Sequence, residues 1–169
     1  MMVIVEGMDN SGKTTLVNQL RVKYPFSVVH SRTYRNSDPD SWMDATLEII
    51  EASRKKDILC DRFPAITESV YGPVLRGRNV LGEHPRWVNL LQELAKVRPV
   101  IIYCRPPDMQ LTNWGYREQM DGVKKHAFDL IHQYDCVMGV FKDVCRYDYT
   151  QPLTLYEVCC KIEQRCKEW

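Results

Sequence analysis

The 169 residues carry 23 Lys and Arg against 22 Asp and Glu, a formal charge of +1, with 44% hydrophobic and 27% charged residues. This ordinary globular composition suits one domain over residues 1–169 and lacks the global basic field of a non-specific nucleic-acid binder. There is no eighteen-residue apolar run, and MMVIVEG reaches Gly7 too soon for a leader. The seven cysteines, odd in number and without CxxC spacing, argue against a disulfide framework or a structural zinc site. A reducing cytoplasm is therefore the expected setting, with no stable nucleic-acid or membrane partner.

Val3 to Glu6 reads as a short buried strand, followed by a Gly-containing turn and a helix from Lys13 to Val22 with Leu16, Val17 and Leu20 on one side. Phe26 to His30 is a second strand and Ser31 to Ser41 a polar loop. Ser41 with Asp44 is read as the start of a helix carrying Trp42, Ala45, Ile49 and Ile50. Asp57 to Cys60 is a third strand, and Phe63 to Gly72 a short helix before a Pro/Gly-rich loop. Trp87, Leu90, Leu91, Leu94 and Ala95 recur at helical spacing. Val100 to Tyr103 is a fourth strand, then Arg105-Pro106-Pro107 and a short helix to Trp114. Val123, Ala127, Leu130, Ile131 and Tyr134 mark a further helix. Val144 to Tyr149 is a fifth strand, and Thr154 with Glu157 has capping-box spacing before the last helix. Five apolar strands alternating with helices predict a parallel α/β sheet covered on both faces.

Gly7 to Thr14 reads GMDNSGKT and matches GxxxxGK[ST], a phosphate-binding loop placed between a strand and a helix. Its glycines allow a tight turn, and the amides of Gly7, Met8, Asp9, Asn10, Ser11 and Gly12 with the helix N-terminus predict an anion cradle for ATP. Lys13 is expected to reach the β- and γ-phosphates and Thr14 to ligate Mg²⁺. Thr15 is read either as an α-phosphate contact or as packing in the first helical turn. Cys104 reads as a packing residue, because no triad-like context accompanies it.

EGMDNSGKTT (Glu6 to Thr15) and DRFPAITESVYG (Asp61 to Gly72) resemble the motifs of thymidylate kinases and related deoxynucleoside monophosphate kinases, including small phage-type members. The resemblance implies a P-loop NTPase three-layer sandwich with sheet order 2-3-1-4-5. It implies that Asp9 approaches the acceptor nucleotide, that Arg62 grips its phosphate, and that Asp61 holds Mg²⁺ through water. It places Ser69 and Tyr71 in the acceptor pocket and Phe63 as a stacking partner for the base. The alternatives are an Asx-turn for Asp9, a surface ion pair or helix cap for Asp61-Arg62, and simple packing for Ser69 and Tyr71. Arg117, in a short lid over residues 113–125, is the candidate to neutralise the transferring phosphate, with Lys124 and Lys125 nearby. Arg32 or Arg35 is a candidate acceptor-phosphate contact. Arg105 is expected either near the adenine or ribose or in a salt bridge with Asp108. A homodimer through helical faces containing Trp42 or Trp87 is expected by the same resemblance.

The chain departs from that pattern at Asn10, where glycine is common, in its lid, and in HSRTYRNSD after the second strand. The implied reaction is ATP-dependent phosphorylation of a deoxynucleoside monophosphate, thymidylate first. The rival enzyme reading is a deoxynucleoside 5′-hydroxyl kinase with Glu6 either as its base or, just before Gly7, as a structural loop contact, and the non-enzyme rival is a nucleotide-dependent binding protein.

Overall fold

The computed structural model describes residues 1–30, 38–113 and 122–168. Five strands, β1 (Met2–Glu6), β2 (Ser27–His30), β3 (Ile58–Asp61), β4 (Val100–Cys104) and β5 (Val144–Tyr147), form one sheet in the order β2-β3-β1-β4-β5. Every neighbouring pair is parallel, so each connection must cross a face of the sheet. The described crossing helices are α1 (Lys13–Lys23), α2 (Pro39–Ser53), α3 (Pro64–Arg76), α4 (Trp87–Val97), α5 (Asp108–Thr112), α6 (Ala127–Gly139) and α7 (Leu153–Lys167). The expected parallel sandwich and strand order are both observed.

The period-two alternation of strand side chains sorts the core into two layers. Met2, Ile4, Ile58, Cys60, Ile101 and Tyr103 meet residues of α2, α3, α4 and α6, among them Met43, Ile66, Leu90 and Leu130. Val3, Val5, Leu59, Val100, Ile102 and Cys104 meet Leu16, Val17 and Leu20 of α1 and Val158 and Ile162 of α7. Each buried aliphatic side chain contributes roughly 1.5–3 kcal/mol, so a one-residue slip, which exchanges the layers, is strongly disfavoured. The same alternation puts Glu6, at the end of β1, on the α3/α6 side with Met2 and Ile4.

Three element boundaries differ from expectation for identifiable reasons. Helix α2 begins at Pro39, because Asp38 serves as its N-cap and accepts the Ser41 N–H at 3.0 Å, so Ser41 is already inside the helix. Helix α3 runs past Gly72 and through Pro73 to Arg76. Pro73 has no N–H for the carbonyl of Ser69 four residues back, and Gln133 Nε2 of α6 donates to that carbonyl instead, at 3.0 Å. At α7, Thr154 does not form a capping box. Helix α7 starts at Leu153, and the Thr154 hydroxyl donates back to the carbonyls of Asp148 (2.8 Å) and Gln151 (2.9 Å).

Trp42 and Trp87 lie partly buried against the α2/α4 layer. All seven cysteines are free thiols. Among the described residues no helix is long and apolar enough to cross a membrane.

Candidate active site

The turn after β1 is shaped by backbone conformations that few residues tolerate. Gly7 has φ 145° and Gly12 φ 86°. A Cβ on Gly7 would stand 2.6 Å from the Cys104 carbonyl oxygen, and one on Gly12 would stand 2.7 Å from the Tyr149 ring. Asn10 takes the left-handed region at φ 66°, which asparagine tolerates better than most residues, and its Nδ2 donates to the carbonyl of Asn113 at 3.3 Å. The Ser11 N–H closes the loop on the Met8 carbonyl at 3.2 Å.

Helix α1 then opens with neither a side-chain cap nor an acidic residue in its first turn. Its N-terminal amides and positive dipole end are thus not neutralised by its own first-turn side chains, the arrangement that suits a bound anion. Thr14 and Thr15 are exposed in that turn. Lys13 is 7% exposed, and its Nζ folds back over the loop to the Met8 carbonyl at 2.7 Å. Burial first, and repulsion from Arg62 second, pull its pKa down to about 8.

Arg62 stands one residue beyond Asp61, where β3 ends. Its backbone is left-handed at φ 69°, and its N–H still donates to the Val5 carbonyl at 3.0 Å, so the turn is tied to β1. That turn sends the guanidinium to the phosphate loop. Nη2 pairs with Asp9 Oδ1 at 2.6 Å and Nη1 donates to the Tyr134 hydroxyl at 2.9 Å. The guanidinium carbon lies 5.2 Å from the Tyr71 ring centre, a cation–π contact. Tyr71 and Tyr134 meet edge to face, so two tyrosines flank the arginine, and Tyr103 stacks behind Tyr134. Asp9 and Arg62 keep 31% and 18% of their side chains exposed, which leaves the pair open to a ligand.

Phe63 is fully buried, so its ring offers no face to a base; its N–H donates to Glu6 Oε1 at 2.6 Å. Ser69 is occupied within α3 and by Asn79, with its hydroxyl donating to the Ala65 carbonyl at 2.8 Å. The Arg105 guanidinium is held in ion pairs with both Asp108 (2.6 Å) and Asp135 (3.0 Å), so the salt-bridge alternative for it is present, with a second acid added. Asp61 is paired with His30 at 3.1 Å, its register partner on β2. Cys104 is fully buried, and burial pushes its thiol up to about 12, as befits packing. Lys124 and Lys125 are exposed. Arg32, Arg35 and Arg117, and with Arg117 most of the expected lid, lie outside the described residues.

The site also contains residues that the sequence motifs do not reveal. Tyr134 lies 72 positions from Arg62. Tyr149 follows β5 and packs on Gly12. Periodicity marks Tyr134 only as a core residue, and its hydroxyl contact emerges when α6 crosses the sheet. Among the described residues no three His, Cys, Asp or Glu side chains converge as a metal site. The exposed Thr14 hydroxyl and the Asp61 carboxylate, here paired with His30, are hard oxygen donors of the kind Mg²⁺ takes when phosphates and water complete its shell.

No protein-family profile matches the chain. No curated protein matches it either. Solved structures do. The YorR protein from Bacillus subtilis, crystallised in complex with phosphorylated GDP, aligns with a TM-score of 0.77 at 13% identity over 99% of this chain and 98% of that one. Deoxyadenosine kinase from M. mycoides with bound dCTP aligns at 0.56 and 14% over 97% and 100%. Thymidylate kinase from Candida albicans aligns at 0.55 and 12% over 99% and 91%. At such identities the likeness speaks for architecture, and with the sheet order and the strand–loop–helix at Gly7 to Thr14 it establishes that this chain has the P-loop NTPase-like sandwich fold of these structures.

Proposed function

We propose that this protein transfers the γ-phosphoryl group of ATP to a deoxynucleoside 5′-monophosphate, with thymidylate the leading acceptor. The observation that carries the reading is Arg62, turned by its left-handed backbone to within 2.6 Å of Asp9 on the phosphate loop. A planar guanidinium with two parallel donors suits a phosphate dianion better than an uncharged hydroxyl. In this reading Arg62 exchanges its Asp9 contact for the acceptor phosphate. The loop amides, the N-terminus of α1 and Lys13 take up the ATP phosphates, and Arg117 in a lid over residues 113–125 completes the charge field. Thr14 and Asp61 would hold Mg²⁺, which supplies charge neutralisation on the phosphates. An acceptor phosphate oxygen is already nucleophilic, so the work left to the protein is in-line placement and electrostatic stabilisation.

The hydroxyl-acceptor rival needs a carboxylate base in contact with substrate. Glu6 was its candidate, but Glu6 has no exposed surface and its oxygens are engaged by Phe63, Thr67, Tyr134 and Gly7. The testing experiment incubates the protein with labelled ATP, Mg²⁺ and each of the four common deoxynucleoside monophosphates, beside free thymidine. Diphosphate formation is expected, fastest with thymidylate. Phosphorylation of thymidine without turnover of any monophosphate would overturn the reading, and equal turnover of several monophosphates would remove only the thymidylate preference.

A further inference from the structure

Glu6 is wholly buried at the root of the phosphate loop. Burial raises its pKa, and that effect is opposed by Arg62, the Phe63 N–H, Thr67 and Lys13. One oxygen, Oε1, accepts the Phe63 N–H at 2.6 Å and the Thr67 hydroxyl at 2.9 Å. The other, Oε2, accepts the Tyr134 hydroxyl at 3.2 Å and the Gly7 N–H at 3.4 Å. These donors converge from the loop, the turn after β3, and helices α3 and α6. A carboxylate answers four donors without bringing a proton of its own, whereas an amide in its place would set an NH₂ against some of them.

The donors are not a random set. Phe63 directly follows Arg62, whose φ of 69° is costly for a residue with a Cβ, so the bond to Glu6 fastens the backbone turn that aims the arginine. Tyr134 fastens the other end. Its hydroxyl accepts from Arg62 Nη1 at 2.9 Å while donating to Glu6, so the proton order Arg62→Tyr134→Glu6 is satisfied throughout.

We propose that Glu6, acting through Tyr134 and the Phe63 amide, is the positioning residue that holds the Arg62 guanidinium at the phosphate loop. The proposal deepens the reading of Arg62 as the acceptor grip and rests on it. Glu6 touches no substrate: it sets the angle at which Arg62 meets one, and its Gly7 contact joins that angle to the start of the phosphate loop.

The cleanest perturbation is Tyr134→Phe, which keeps the ring contacts to Tyr71 and Tyr103 and removes one hydroxyl. With thymidylate as acceptor, KM should rise about tenfold, the order expected for losing one hydrogen bond to a charged group, while ATP affinity stays within about twofold. In an Arg62→Ala background the same substitution should cost much less acceptor affinity, because its effect on the acceptor runs through Arg62. Glu6→Gln should move the acceptor KM in the same direction and further. A substrate-free readout separates this proposal from the functional reading. In protein labelled with ¹⁵N-arginine, the Arg62 side-chain resonance, assigned by its loss in Arg62→Ala, should show restricted guanidinium rotation that Tyr134→Phe releases. An unchanged Arg62 resonance, or an equal loss of acceptor affinity with and without Arg62, overturns the proposal. A released resonance in a protein that turns over no monophosphate upholds the positioning of Arg62 and rejects the acceptor assignment instead.

Discussion

Lys13 is expected to cost this protein stability. It is 7% exposed, and burial brings its pKa from an ordinary 10.5 to about 8. At about 1.36 kcal/mol per pH unit, keeping the ammonium charged in the folded state at neutral pH costs about 3 kcal/mol. Replacing it with methionine keeps the unbranched apolar stem but forfeits the hydrogen bond to the Met8 carbonyl, about 1 kcal/mol. Lys13→Met should therefore be about 2 kcal/mol more stable than wild type near pH 7 while losing most phosphoryl transfer. Because the folded pKa lies below the unfolded one, both states carry the proton below about pH 8 and the cost is full there. Between about 8 and 10.5 the unfolded chain binds more protons, so the wild type gains on the variant as pH rises. By about pH 9.5 the difference should shrink by about 2 kcal/mol, to near zero. Urea unfolding followed by circular dichroism at both pH values measures this. With a slope of about 2 kcal/mol per molar urea, the midpoints should differ by about 1 M near pH 7. Comparing variant with wild type at each pH cancels the tyrosines and cysteines that titrate in both. A variant less stable than wild type near pH 7, or a difference that does not change with pH, would refute the reasoning.

Arg62→Ala should weaken acceptor binding and slow transfer while leaving ATP affinity comparatively intact, and Arg62→Lys should recover activity only in part, since it keeps the charge and loses the planar fork; saturation kinetics in each substrate separate these effects. Gly12→Ala puts a Cβ 2.7 Å from the Tyr149 ring at φ 86°, so ATP affinity by calorimetry should fall; adding Tyr149→Ala should restore only the part due to the contact. Gln133→Ala leaves the Ser69 carbonyl opposite Pro73 without its donor and should cost about 1–3 kcal/mol in urea unfolding, and unchanged stability would show that water replaces the amide at no cost. The expected homodimer should appear in sedimentation across a concentration series, where a persistent 19.9 kDa species would count against it.

Strand–helix alternation, the apolar runs and the eight residues from Gly7 to Thr14 were enough to determine the parallel sheet and the place of its phosphate loop. Those signals are local: a strand's period and a loop's glycines are properties of adjacent residues. The resemblance to thymidylate kinases added the strand order. Boundaries were less legible, since Asp38 and Pro39 could be recognised as cap and first turn of α2 only with the helix in view. Pro73 reads as a helix breaker until Gln133, from another helix, is seen to satisfy the carbonyl it frees. The motif around Asp61-Arg62 could nominate Arg62, yet nothing in it reveals the left-handed turn or the Tyr134 hydroxyl 72 residues away. The resemblance to thymidylate kinases offered Phe63 as a base-stacking ring, but its neighbours in space leave it no exposed face. On sequence grounds Glu6 could be the rival enzyme's base or a loop contact, and its burial among four donors favours the contact. What recurs along the chain is legible in its residues; which polar atoms meet is not, because hydrogen bonds depend on distances that only folding sets between residues far apart in sequence.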